Sequence, residues 1–336
     1  MKFIDFFCGA GGFSLGLVKA GHELYCGVDH WLPSQNTYEG YFGKDKFKKI
    51  DLSSVDPKDI KKILGIKAGE IDLIVGGPPC QGFSSMGKQN LKDPRNKLAI
   101  SFAEIIAVIK PKFFILENVS AVQGKKFEAL ITNLSDLFNE SGYTNLHAEV
   151  LDAQEFNVPQ RRKRFFLIGS LDKKIELSMP SRSKKVATVG QAILDLVGKE
   201  NAFKNHVPMN HNPIVKARLK YIPEGGKLDL EKLPKSLSYG TRADFKENKI
   251  KNFSHIYQRL SRDKISGTIV PGHNAFPIHP TEDRSLTVRE AARIQTFPDK
   301  MEFFGTRQDQ CILVGNAVPI NLSLAFGKHL NKLMKT

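Results

Sequence analysis

The sequence predicts an α/β protein: a doubly wound, mostly parallel sheet with a second, smaller and strongly basic domain late in the chain. Three observations predict it. Short runs rich in Phe, Ile and Val alternate with stretches of helical periodicity through the first 170 residues, the pattern of a parallel sheet crossed by helices. From about residue 172 to 272 that rhythm stops, and Pro, Gly, Asn and Lys scatter among short apolar pieces. From Leu286 the pattern turns helical again. The sheet domain is therefore expected over residues 1–175 with 311–336, and the smaller one over 176–310.

Taken in order, residues 2–7, 23–28, 71–75, 113–116 and 164–168 read as buried strands. Residues 13–20, 98–109 and 128–139 read as the helices between them. At the far end, 287–295 and 321–332 have the spacing of amphipathic helices.

Composition narrows the class. The chain has 336 residues, 41% of them hydrophobic, with a formal net charge of +15. That suffices for a large core, and no run of eighteen apolar residues reads as a membrane span. Cys8, Cys26, Cys80 and Cys311 are scattered without metal-ligand or disulfide spacing, so no metal is expected and a reducing cytoplasm fits. The charge is concentrated. Residues 171–275 hold 20 Lys and Arg against 10 Asp and Glu, so they carry +10 of the +15. A nucleic acid is the natural partner of so local a field, although lysine-rich composition alone produces similar totals.

Individual residues then point to chemistry. Strand one runs into Asp5-Phe6-Phe7-Cys8-Gly9-Ala10-Gly11-Gly12-Phe13, where glycines let backbone approach a ligand at a helix start. Strand two ends at Asp29, placed to accept from a ribose diol, and Asp51 follows the third strand-like segment. The Gly-x-Gly-Gly spacing leaves open whether the adenosine-type ligand is a nicotinamide cofactor or S-adenosylmethionine. Just past another strand comes Gly76-Gly77-Pro78-Pro79-Cys80-Gln81. A lone cysteine is usually a buried apolar residue, but this stiff turn is poor core material. The next strand closes on Glu117, either a strand-end hydrogen-bond acceptor or a catalytic carboxyl that burial would equip to hold a proton. Arg162 and Arg164 fall on one face by alternation, where paired guanidiniums suit a carbonyl, carboxylate or phosphate.

Six motifs in one order carry a resemblance. The glycine turn, Pro79-Cys80-Gln81, Glu117-Asn118-Val119, Gln160-Arg161-Arg162-Lys163-Arg164, Leu286-Thr287-Val288-Arg289-Glu290-Ala291-Ala292-Arg293-Ile294-Gln295 and Gly315-Asn316-Ala317-Val318-Pro319 resemble those of C5-cytosine-specific DNA methyltransferases of the bacterial type, over nearly the whole chain. The resemblance implies a Rossmann-like S-adenosylmethionine-dependent methyltransferase fold with a small target-recognition domain. It implies methyl transfer to carbon 5 of a flipped-out cytosine in a short duplex sequence, with S-adenosylhomocysteine as the second product.

By the same resemblance Cys80 is the nucleophile at carbon 6, Glu117 serves ring N3, Arg162 binds the cytosine O2 and Arg164 orients Glu117 or the attacking site. Cofactor contacts fall on Phe7, Cys8, Gly9, Ala10, Gly11, Gly12, Asp29, His30, Asp51, Leu52, Pro79, Leu98, Asn316, Ala317 and Val318. DNA contacts fall on Gln81, Ser84, Ser85, Gln160, Arg242 and Thr268, with residues 81–94 as the mobile catalytic loop. Lys246, Lys249 and Lys251 are further phosphate candidates. The expected setting is a monomer in a bacterial cytoplasm, with the nucleoid. It acts on double-stranded DNA, with a cognate restriction endonuclease as functional rather than physical partner, and not at a membrane. An RNA cytosine methyltransferase and a silent DNA-binding relative remain as alternatives, and a nicotinamide dehydrogenase explains neither the six motifs nor the charge.

Overall fold

The computed structural model describes residues 1–79, 97–200, 202–238, 257–272 and 275–335. Cys80, Gln81, Ser84, Ser85 and Arg242, with the rest of 81–94 and 239–255, lie outside the described residues. In chain order the main elements are β1 (Lys2–Phe6), α1 (Gly12–Lys19), β2 (Glu23–Asp29), α2 (Leu32–Phe42), β3 (Phe47–Lys49), α3 (Ile60–Leu64), β4 (Leu73–Gly76), α4 (Lys97–Ile109), β5 (Phe113–Val119), α5 (Glu128–Glu140), β6 (Asn145–Asp152) and β7 (Lys163–Ser170). Then follow α6 (Val189–Ile193), α7 (Pro213–Leu219), α8 (Val288–Ile294), α9 (Arg307–Asn316) and α10 (Ile320–Leu333).

The seven strands form one sheet in the order β3-β2-β1-β4-β5-β7-β6. All neighbours pair parallel except β7, which is antiparallel to both β5 and β6. This is the mostly parallel α/β sheet that the alternating apolar runs predict. Strand order reverses between β1 and β4, and in such sheets the crevice at the carboxyl ends of those strands takes the ligand. The glycine turn and residues 77–79 both sit there.

The strands are apolar because they are covered on both faces. Ile4, Phe6, Ile74, Phe114 and Leu116 join Phe102, Ile106 and Phe138 in one buried core. Phe114 stacks on Phe138 at 4.2 Å and meets Tyr143 edge-on at 5.1 Å. α10 returns to pack on α1 so closely that a Cβ on Gly16 would lie 2.4 Å from Ser323 Cβ. Ser323 Oγ there donates to Phe13 O.

The chain divides into two compact units: Met1–Asn157, Lys163–Lys185 and Ala317–Thr336 make the first, Val158–Arg162 and Val186–Asn316 the second. The outer breaks fall at 185/186 and 316/317, against the 175/176 and 310/311 read from sequence, and residues 158–162 go with the second unit.

That second unit is built differently. Its helix α8 opens with a capping box, Thr287 Oγ1 accepting from Glu290 N and the Glu290 carboxylate from Thr287 N. Its loops are tied by buried arginines. Arg259 donates to the carbonyls of Leu219, Ile222, His279 and Glu282 and to Asp283. Arg289 donates to Lys204 O, Pro298 O and Met301 O.

Among the described residues one stretch, Arg307–Leu333, is apolar and long enough to cross a membrane, but 67% of its most apolar window is buried in the protein.

Candidate active site

The turn after β1 has the backbone of a ligand cradle. Phe7, Gly9 and Gly11 have φ of 58°, 52° and 80°, the left-handed region in which glycine is unstrained. A Cβ on Gly9 would meet nothing within 4 Å, so that side of the turn is open. One on Gly12 would lie 2.3 Å from Val318 O and 3.3 Å from Ala317 Cβ, which brings two expected cofactor residues onto the turn.

Asp29 holds the turn from the end of β2. Its Oδ2 accepts from Gly9 N at 3.0 Å, and its Oδ1 from His30 N at 2.8 Å and Trp31 N at 3.1 Å. The carboxylate keeps 13% exposure, enough to meet a further donor such as a ribose hydroxyl. Asp51 is exposed, and hydrogen bonds from Ser53 to its Oδ1 hold its carboxyl below the usual range. Leu52 is buried in the sheet core and Leu98 packs against the same core. Cys8 and Ala10 are buried in the turn. An open left-handed turn beside a fixed acid fits an adenosine-type cofactor.

The chemistry-bearing strand ends meet within the same unit. Glu117 stands two residues before the end of β5, opposite Phe166 of β7, and the last residue, Val119, pairs with Arg164. Arg164 Nε lies 3.1 Å from Glu117 Oε1, with side-chain exposures of 17% and 13%. Burial pulls the Arg164 guanidinium below its usual range, and Glu117 opposes that pull. A Cβ on Gly77 would lie 3.0 Å from Glu117 Oε2. Gly77 therefore passes closer to this carboxylate than most side chains allow, and Pro78 and Pro79 follow it directly.

The remaining expected residues go elsewhere. Arg162 is 1% exposed, and its guanidinium donates to Ile269 O and Asn316 O, both at 3.2 Å. Arg162 stands one residue before β7 begins at Lys163. Gln160 is fully buried, its amide donating to Gln295 Oε1 and accepting from Ile269 N, each at 2.8 Å. Both ends of the Gln160 amide are thus engaged inside the second unit. Thr268 is exposed, and its hydroxyl donates to Arg161 O at 2.8 Å. Asn316 contributes its carbonyl to Arg162.

Comparison with known proteins adds a family to this geometry. The C-5 cytosine-specific DNA methylase family model matches residues 1–332. The chain belongs to that family. Relatives include Type II methyltransferase M1.HphI of Haemophilus parahaemolyticus, 33% identical across 99% of this chain and 87% of that protein. Type II methyltransferase M.HindV of Haemophilus influenzae is 32% identical across 96% of this chain and 94% of its own. A crystal structure of a putative prophage-encoded DNA modification methyltransferase from E. coli superposes with a TM-score of 0.79 over the full length of both chains at 24% identity, a likeness of fold.

The methyl donor of this cytosine methylase is S-adenosylmethionine. Of its cysteines, Cys8, Cys26 and Cys311 are buried, and burial raises each thiol, Cys26 to about 12 and Cys311 to about 11. None of those three is a ready thiolate at neutral pH. In this methylase the sequence reading missed Asp5 and Tyr38 beneath the glycine turn. Asp5 was visible as an acid inside an apolar strand, whereas nothing in the α2 sequence marked Tyr38.

Proposed function

We propose that this methylase transfers a methyl group to carbon 5 of a cytosine flipped out of duplex DNA, through a covalent bond from Cys80 to carbon 6. One observation carries the reading: Glu117, held by Arg164, stands against Gly77, three residues before Cys80. Attack of the Cys80 thiolate on carbon 6 makes carbon 5 enamine-like and pushes electrons into the ring. Glu117 holds the proton at ring N3, where that charge develops. The Arg164 guanidinium beside it takes the cytosine O2, the role that the family resemblance implied for Arg162. Arg162 instead braces the backbone at Ile269 and Asn316.

S-adenosylmethionine supplies the methyl group on an electrophilic sulfonium, with Phe7, Gly9, Gly11 and Gly12 around its methionine end. Asp29 holds the ribose, His30 and Asp51 flank the adenine, and Pro79, Leu98, Ala317 and Val318 close the site. Loss of the C5 proton, then of the Cys80 thiol, restores the aromatic ring.

The second unit reads the DNA site, with Thr268 and Arg242 among its contacts and Gln81, Ser84 and Ser85 on the loop over the flipped base. The names of the bacterial relatives support a place in a restriction-modification pair; action as a monomer on cytoplasmic DNA, without a physical complex with the endonuclease, is part of the same proposal.

The test is a denaturation-resistant adduct with 5-fluorocytosine duplex DNA. It should form on Cys80, and Cys80→Ser should abolish adduct and turnover while retaining cofactor and DNA binding. An adduct on Cys8 or Cys311, or normal methylation by Cys80→Ser, would overturn the mechanism. Bisulfite sequencing of methylated DNA then reads out the target site.

A further inference from the structure

The cofactor turn is anchored at both ends by carboxylates from neighbouring strands. Asp29 accepts from Gly9 N at one end. At the other, α1 begins with Gly11 as its N-cap, which has no side chain to satisfy the first-turn amides. Asp5 of β1, 2% exposed, substitutes for the missing cap. Its Oδ2 accepts from Ser14 N at 3.1 Å and from Ser14 Oγ at 2.6 Å. With its proton committed to Asp5, Ser14 Oγ is left to accept, and Tyr38 OH lies 2.7 Å away.

Tyr38 reaches this point from α2, fully buried, with its ring 4.4 Å from that of Phe42. A Cβ on Gly27 would lie 2.4 Å from Tyr38 Cζ, and one on Gly11 would lie 3.0 Å from Tyr38 Cε2 and 2.7 Å from Phe42 Cε2. The tyrosine ring therefore fills the space that these two glycines vacate, directly under the turn. A phenylalanine would fill that space equally well, so the hydroxyl has a separate use.

We infer that Tyr38 and Ser14 are positioning residues for the methyl donor, acting with Asp5 to hold the 7–12 turn in its ligand-ready conformation before the donor arrives. The inference rests on the reading of that turn as the S-adenosylmethionine site. Pre-forming a turn of three left-handed residues spares the ligand the ordering cost, so its loss appears in donor affinity. It leaves alone the groups at Glu117 and Arg164 that act on the base.

Tyr38→Phe removes one hydroxyl and keeps the ring; Ser14→Ala breaks the chain at its centre. Binding of S-adenosylhomocysteine, read from fluorescence of the lone Trp31 beside Asp29, should weaken about fivefold in Tyr38→Phe and roughly tenfold or more in Ser14→Ala, from the net worth of one and two hydrogen bonds. KM for S-adenosylmethionine should rise in step, while kcat at saturating donor and the Kd for duplex DNA stay at parent values. The double variant should be no weaker than Ser14→Ala, since the three groups form one chain. Without cofactor, amide exchange over residues 6–14 should quicken in both variants.

Unchanged S-adenosylhomocysteine affinity and exchange in both variants would overturn the inference. So would parallel losses in kcat and DNA affinity, the mark of a generally loosened protein. Asp29→Ala separates the underlying reading: if the parent binds S-adenosylhomocysteine and Asp29→Ala binds it equally well, the turn is not the donor site.

Discussion

The two units of this methylase bury different things. The sheet unit closes over aliphatic and aromatic side chains, with Phe114 between Phe138 and Tyr143 at its centre. The loop-rich part of the second unit has a small apolar cluster, Leu219, Ile222 and Ile278, and beside it the five-bonded guanidinium of Arg259. Arg162, Arg259, Arg284 and Arg289 are all buried, and all four belong to that second unit. A sheet satisfies its own backbone, so its core needs only shape. Irregular loops leave carbonyls over, and a planar fork of donors collects several at once. The first unit is thus held by volume; the second has its own apolar residues, Leu286, Ile294, Phe297 and Phe303 among them, and its loops are held by direction as well.

Conservative replacements separate the two cases. The largest effects are expected from truncation: Phe114→Ala should cost about 3–5 kcal/mol through the cavity it leaves, and Arg259→Ala a similar sum by stranding four carbonyls and Asp283. The contrast lies in the milder changes. Phe114→Leu nearly keeps volume and should cost about 1–2 kcal/mol. Arg259→Lys keeps the charge but not the fork, and should recover little of the alanine loss. Thermal unfolding with amide exchange on the 213–238 and 257–285 segments measures both pairs. Equal tolerance of Arg259→Lys and Phe114→Leu would break the distinction.

Smaller, and opposite in sign between the units, is the response to pH. Burial raises the Asp5 carboxyl to about 7. A carboxyl raised above its unfolded value binds more protons folded than unfolded, so its contribution to stability falls as pH rises from about 4 to 7. In the second unit burial lowers His279 to about 4. A histidine lowered in this way must charge on unfolding, so stability there falls as pH drops from 6.5 toward 4. Glu290 acts in the same direction: burial raises it, but the Arg284 hydrogen bonds and charge hold it below its usual value, and protonation in acid forfeits that pairing. Amide protection, corrected for the intrinsic exchange rate, should thus fall with acid around His279 between pH 6.5 and 4 and rise around Asp5 between pH 7 and 4. Asp5→Asn should flatten the second trend alone.

The same contrast explains what the sequence made legible. Apolar strands flanked by helices announce themselves, and β1, β2, β4, β5 and β7 stand within a few residues of where hydrophobic runs place them. The strand β6 was not legible, because as an edge strand it is mostly half-exposed and its sequence, Asn145 to Asp152, alternates weakly. Helix α2 hid for another reason: it buries Ser34, Thr37 and Tyr38, two of them small and polar. At the site, Glu117 and Arg164 were readable as strand-end residues. Arg162 was not, since in sequence a guanidinium bound to Ile269 O and Asn316 O looks like any solvated arginine.

The boundary after Arg162 bears on how the second unit could be transplanted between relatives. Residues 158–162 lie within one motif with β7, yet their partners are downstream: Arg161 N donates to Ser266 O, Gln160 bonds Ile269 and Gln295, and Arg162 bonds Ile269 and Asn316. A chimaera spliced only at 185/186 and 316/317 would pair one parent's pentapeptide with another's loops and strand a buried arginine and a buried amide. A transplant that carries the pentapeptide along keeps these bonds whole, so the portable cassette of this protein is two pieces of chain rather than one.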